Sequence, residues 1–176
     1  MEKVKTKSIL KSKKFNELKK IGGHKVYHLE GNAFKHSILV WKASKRLFRG
    51  DSFMQRVALL HDIGKICSSR RNGKDDWVYP NHSVMGGEIL GKFIKETNPR
   101  FEEAKWYISN HIKPLFWKSI LDAEKLQESA PANCQVQKLA LLALCDLCGS
   151  YSTKEASEKN KPLIDLLIEV SKIKGN

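Results

Sequence analysis

The stretch Val57-Ala58-Leu59-Leu60-His61-Asp62-Ile63-Gly64-Lys65 decides how the rest of the chain is read. Its apolar residues recur at the three- and four-residue spacing of a helix, so the stretch reads as an apolar helix that carries Asp62 inward. A buried carboxylate without a partner costs several kcal/mol, so such an acid must be protonated, paired with a cation or bound to a metal. A second apolar run, Lys138-Leu-Ala-Leu-Leu-Ala-Leu-Cys-Asp146-Leu147-Cys148, poses the same problem. Asp146 follows Leu142 and Ala143 by one turn and shares their buried face. Two distant helices are each expected to deliver one inward acid.

Helical spacing continues on both sides of these runs, and no convincing run alternates apolar with polar residues. The chain reads as an all-α, single-domain helical bundle with a metal site in its core. Residues 1–20 form a basic N-terminal segment or first helix, and residues 21–176 form the functional domain. A first helix is expected from Ser8 to Ile21, stopped by Gly22-Gly23, and a second from Ala33, capped by Asn32, to Gly50. A third begins after Asp51 or Ser52 and runs through Phe53, Val57 and Leu60 toward Gly64. Cys67 to Pro80 reads as a loop. Asn81 or His82 opens a helix to Glu96, and Asn98-Pro99 starts another that ends before Pro114. Residues 115–133 read as irregular or short-helical, followed by helices from Gln135 to Gly149 and from Pro162 to Lys172.

The histidines fall on the same buried stripes. His36 lies with Leu39, Val40 and Ala43, His82 with Met85, Gly86 and Ile89, and His111 one turn after Tyr107 and Ile108. One inward histidine is ordinarily a hydrogen-bonded core residue, and a lone His-Asp pair is a weak signal. Four inward histidines beside two inward aspartates form a nitrogen and oxygen cage suited to a transition metal, less so to calcium or structural zinc.

The order His36, His61-Asp62, Asp146 resembles the HD superfamily of metal-dependent phosphohydrolases over roughly residues 28 to 150, with Ala58 to Lys65 matching its central motif. The resemblance implies that His36, His61, Asp62 and Asp146 bind one ion, while His82, His111 and a bridging Asp62 hold a second. The cofactor expected is a divalent transition metal, two ions of Fe, Mn, Ni, Co or Zn. Upstream, His28-Leu-Glu30-Gly31-Asn-Ala-Phe-Lys-His36 is similar to the entry of the HD domain in some bacterial tRNA nucleotidyltransferases. That similarity implies action on 2′,3′-cyclic phosphodiesters or nucleotide monoesters, although no nucleotidyltransferase head is present. The similar histidine pattern of dinucleoside tetraphosphate hydrolases leaves the substrate open.

Asp62 and Lys65 are the expected catalytic pair, with Lys65 near the end of the same helix and close enough to bind a phosphate oxygen. Arg70, Arg71 and Lys74 of the loop, Lys113 beside His111, and His28 are candidate substrate contacts. Trp77 and Tyr79 could stack on a base, though packing is their ordinary role. His24 and His28 have metal-ligand spacing, but Gly22-Gly23 argues against a helix there. The partner expected is a phosphorylated small molecule, nucleotide or RNA. Two other readings stay open: a metal-stabilised nucleotide- or RNA-binding module without turnover, and a one-metal nucleotidase.

The chain has 176 residues with 41% hydrophobic and 29% charged side chains, a globular composition. Its formal charge of +13 favours anionic partners. Eight lysines against two glutamates in residues 1–20 supply much of that excess, and a solvated arm would explain them equally well. Cys67, Cys134, Cys145 and Cys148 show neither disulfide-framework nor paired CxxC spacing, so reduced cysteines and a cytoplasmic protein are expected. The longest apolar run is too short to cross a bilayer, and no membrane partner is expected.

Overall fold

The computed structural model describes residues 6–23, 26–73 and 76–173. The region expected to form one N-terminal helix is broken into α1 (Thr6–Lys11), α2 (Lys13–Asn16) and a 3₁₀ turn, Glu17–Lys20. Ser12 makes the break. Its backbone is extended, and its Oγ accepts the Phe15 N–H at 3.1 Å, the local competition that draws serine out of helix interiors. Ile9, Phe15 and Leu18 are buried, so the described part of this lysine-rich segment is docked.

Asn32 caps α3 (Ala33–Leu47) by accepting the Lys35 N–H at 2.9 Å. Asp51 accepts the N–H groups of Phe53 and Met54 and opens α4 (Ser52–Leu60). The helix stops at Leu60, short of the extent expected. His61 to Gly64 form a turn, and Lys65 begins a new short helix, α5 (Lys65–Ser68). The loop that follows contains an antiparallel hairpin, β1 (Arg70–Arg71) and β2 (Trp77–Val78), pairing Arg70 with Val78 and Arg71 with Trp77. Two-residue strands are too short to show alternation, so the sequence carried no signal for them.

Next come α6 (His82–Ile89), a 3₁₀ turn at Leu90–Lys92, and α7 (Phe101–Asn110). The expected extension of α6 to Glu96 is absent, and α7 starts after Arg100 because the Asn98 side chain caps Arg100 N–H instead of opening the helix at Pro99. A 3₁₀ turn, Lys113–Phe116, leads to α8 (Ile120–Glu128) in the stretch read as irregular or short-helical. Asp122 accepts the N–H groups of Lys118 and Ser119 there, one arm of a capping box with Ser119. The chain closes with α9 (Val136–Gly149), α10 (Lys154–Lys159), which was not anticipated, and α11 (Lys161–Lys172). No helix among the described residues is long and apolar enough to cross a membrane.

The apolar α9 lies between α3 and α11, α3 also packs on α4, and α6 packs on α7 and α5. Leu59, Leu60, Ile63, Leu139, Leu142 and Leu167 are fully buried where these helices meet. Two glycines set how closely they approach. A Cβ at Gly149 would lie 2.6 Å from Val40 N, and one at Gly64 would lie 1.8 Å from His82 O and 2.4 Å from Gly86 N. Both obstacles are backbone, which cannot rotate away.

Gly64→Ala is therefore expected to cost about 1–3 kcal/mol in denaturant unfolding through overpacking. Gly73→Ala, whose Cβ would meet nothing within 4 Å, should be near neutral. Equal stability of the two variants would show that α6 can back away from Gly64.

Candidate metal centre

Tertiary packing draws six side chains to one point, and most of them lie at the ends of elements instead of inside them. His36 sits on the second turn of α3 and Asp146 near the end of α9. His61 is the C-cap of α4, His111 the C-cap of α7, and His82 the first residue of α6. Asp62 lies in the turn between α4 and α5, not within the helix that its apolar neighbours suggested.

Around Asp62 these groups divide in two. His36 Nε2 lies 3.5 Å and His61 Nε2 3.4 Å from Asp62 Oδ2, and both imidazoles also face Asp146 Oδ1, at 2.9 and 3.6 Å. On the other side, His82 Nε2 lies 3.4 Å and His111 Nε2 3.6 Å from Asp62 Oδ1. One carboxylate thus offers one oxygen to each cluster.

Each imidazole is turned by its second nitrogen. The Nδ1 atoms of His61, His82 and His111 lie 2.8, 2.9 and 2.7 Å from the carbonyl oxygens of Ala58, Tyr79 and Ile108, each three residues earlier. A carbonyl can only accept, so each Nδ1 carries the proton and each Nε2 presents a lone pair. His36 Nδ1 lies 2.9 Å from Glu30 Oε1, an ion-pair contact without a well-aligned hydrogen bond. Asn81, in a left-handed conformation at φ 53°, swings the chain into α6 and places His82.

These observations test whether the residues fit metal. His82 Nε2 faces His111 Nε2 at 3.3 Å with both Nδ1 protons committed to carbonyls, so in the neutral rings lone pair points at lone pair; His36 Nε2 faces His61 Nε2 at 3.2 Å and, without an ion, carries a proton toward Asp146. Asp62 Oδ2 and Asp146 Oδ1 are buried without a well-aligned hydrogen bond. A cation at each meeting point would satisfy these oxygens and the ring nitrogens together, beyond what Lys65 and a protonated His36 supply, and nitrogen with carboxylate oxygen is a transition-metal donor set. His36, His61 and Asp146, and likewise His61, Asp62 and His111, bring their ligand atoms within 4.8 Å of one another.

Charge at the centre follows the same logic. Burial opposes ionisation of Asp62, but Lys65 and the imidazoles hold its carboxyl well below the usual range. Burial likewise opposes charge on Asp146, yet His36 and His61 hold it low. For His36, burial is outweighed by hydrogen bonds to Asp146 and Glu30, which push its pKa up to about 9. His82 is pushed down to about 4, chiefly by burial.

Lys65 departs from the surface position a helix C-terminus would give it. It is 4% exposed, with Nζ 2.6 Å from Asp62 Oδ2 and 4.3 Å from the centre of the Tyr79 ring. His28 also reaches the site: its Nδ1 lies 3.0 Å from Glu30 Oε1, and it lines a cavity of about 440 Å³ with Tyr27, Tyr79, Phe116, Asp146 and Ser150. Lys113 does not. It is exposed on its 3₁₀ turn, whose Leu115 and Phe116 line the cavity instead.

Arg70 and Arg71 are exposed and line a separate open groove, joined to the cavity by Tyr79, which lines both. Arg71 also lies over the Trp77 ring, and Trp77 packs against Gly22. The Tyr79 hydroxyl donates to Gly22 O, so both aromatics help dock the hairpin. His24 and Lys74 fall outside the described residues. Cys145 is buried and Cys148 exposed, and no group of potential metal ligands among the described residues includes either.

Sequence reasoning missed Glu30 as a site residue. It is buried, faces both His28 and His36 through Oε1, and accepts the Tyr151 N–H through Oε2 at 3.1 Å. No periodic pattern surrounds it, and the available signal is its place between His28 and His36 in the stretch that is similar to the entry of the HD domain.

No curated protein and no solved structure matches this chain. The family model of the HD domain matches residues 33–148, more than half of the sequence, from the start of α3 almost to the end of α9. Carrying that match and the geometry around His61-Asp62, the chain belongs to the HD domain family, whose members are in general metal-dependent phosphohydrolases.

Proposed function

We propose that the protein hydrolyses a phosphate ester of a nucleotide or RNA end, such as a 2′,3′-cyclic phosphate, with two divalent transition-metal ions. The observation that carries this reading is Asp62, with one oxygen toward His36 and His61 and the other toward His82 and His111. In this reading His36, His61, Asp62 and Asp146 hold one ion, and His82, His111 and Asp62 hold the other. When bound, such a pair supplies an acidified water as nucleophile and Lewis-acid contacts to the phosphoryl oxygens.

The protein's own groups position and stabilise. Lys65 places a buried cation beside Asp62, where it binds a phosphoryl oxygen and offsets the negative charge that grows during displacement. Its amine is fixed by Asp62 and the Tyr79 face, so little rearrangement is needed as that charge develops. Glu30 holds the His36 ring in register. His28 and Ser150 offer hydrogen bonds to the substrate from the cavity wall, while Leu115, Phe116 and Leu163 exclude water from its far side.

Three outcomes test the reading. Purified protein is expected to carry transition metal by elemental analysis and to cleave nucleoside 2′,3′-cyclic phosphates or nucleotide monoesters; Asp62→Ala should lose both properties, and normal turnover by that variant would sink the mechanism. Lys65→Ala should keep its metal while kcat falls roughly 10²–10³-fold, the scale of losing one preorganised donor; parallel loss of metal would make Lys65 structural. In the metal-free protein His36 is protonated up to about pH 9, and that proton must leave before an ion can bind. Calorimetric affinity for Mn²⁺ should therefore rise by about one log unit per pH unit and level off near pH 9. An affinity independent of pH would show that the ion displaces no proton from His36.

A further inference from the structure

Between Leu18 and Gly50 the only acidic residue is Glu30, and it is buried, so the solvent-facing charged side chains among the described residues of this segment are all cations. Lys35 and Lys42 are both exposed and lie seven residues apart on α3, on one stripe and about 10 Å apart along the axis. They line a groove of about 390 Å³ with Glu30, Phe34, Ile38 and Tyr151. Lys19 Nζ sits at 4.7 Å over the Phe34 ring, adding a third cation at that residue. Tyr151 is 57% exposed, while its backbone is fixed by Tyr151 N–H to Glu30 and Leu29 N–H to Tyr151 O, so the ring is presented from an anchored segment.

The groove and the cavity beside Asp146 share a wall. Ser150 and Ser152 line the cavity, and Tyr151 between them lines the groove. Glu30, at the groove's base, is bonded to His36 of the metal centre. Lysines that can follow a phosphate backbone, next to an aromatic face open to stacking, are the pairing that holds single-stranded nucleic acid.

We propose that this groove binds the nucleotide chain leading to the scissile phosphate, with Lys35 and Lys42 on backbone phosphates and Tyr151 stacked on a base. The substrate is then the end of a single-stranded polynucleotide and not a free mononucleotide. This assignment rests on the phosphoesterase reading above.

The test uses full-length, metal-loaded protein and a fluorescent single-stranded RNA oligonucleotide ending in a 2′,3′-cyclic phosphate. Anisotropy gives Kd against salt, and turnover is compared with that of a nucleoside 2′,3′-cyclic phosphate. For Lys35→Ala/Lys42→Ala the slope of log affinity on log salt should become shallower by about 1.4, the loss of two phosphate contacts. Tyr151→Ala should weaken binding roughly tenfold with an unchanged slope, as loss of one stacked base requires. In both variants kcat/KM on the oligonucleotide should fall relative to the mononucleotide, with metal content unchanged. Lys42→Glu, farther from His36, guards against an indirect effect on the metal centre and should weaken RNA binding more than Lys42→Ala. An RNA Kd unmoved by these variants, or wild-type affinity for anionic phospholipid vesicles equal to that for RNA, would overturn the groove assignment. Mononucleotide turnover with an RNA Kd that the variants do not change would remove the groove and leave the hydrolase. A variant-sensitive RNA Kd without turnover of either substrate would remove the hydrolase and leave the groove as a binding site.

Discussion

A carboxylate withdrawn from water must meet positive charge, and much of this fold is arranged around that constraint at Asp62. Asp62 is 2% exposed, and its two oxygens face different groups. Lys65 supplies one cation, but a single ammonium on Oδ2 does not answer the four imidazole Nε2 atoms that converge on the same carboxylate. Divalent ions bound there would satisfy both demands at once. The cost of burying such a cluster without ions is large enough that metal and fold are expected to be thermodynamically linked.

The imidazoles are oriented by a device that costs the protein little. Helix C-termini leave carbonyl oxygens without intrahelical partners. His61 and His111, each the residue immediately after a helix, fold back so that Nδ1 meets the carbonyl of Ala58 or Ile108 at the end of their own helix. One hydrogen bond both satisfies an orphan acceptor and fixes the tautomer that leaves Nε2 free. His82 uses the same three-residue reach to Tyr79, just before its helix.

Close backbone approach does the remaining placement. Gly149 lets α9 touch the Val40 backbone of α3, bringing Asp146 to His36, and Gly64 lets the turn after Asp62 touch α6, bringing His82 to Asp62. The same economy extends outward through Glu30, which ties His36 to the 150–152 segment and so joins the metal centre to the neighbouring groove.

Much of this was legible before any coordinates. Helical spacing disclosed the α character of the chain, the caps at Asn32 and Asp51 located the starts of α3 and α4, and the apolar settings of Asp62 and Asp146 marked them as acids in need of a cation. Helix ends were less legible. Periodicity extends α4 through His61 and Asp62, whereas the chain turns there to place Lys65 in a new helix, and nothing in the local spacing records that turn. The hairpin at residues 70–78 and the helix α10 escaped for similar reasons: short elements carry too few residues to establish a period. By itself, then, the sequence determined which residue types are buried, and hence that a polar cluster must form within a helical core. Only the tertiary structure decided how the cluster is divided, which nitrogen of each histidine faces it, that Lys65 is inside and Lys113 outside, and that Glu30 belongs to it. Those outcomes depend on the distance and direction between elements remote in sequence, which backbone contact and hydrogen bonding set and local pattern does not encode.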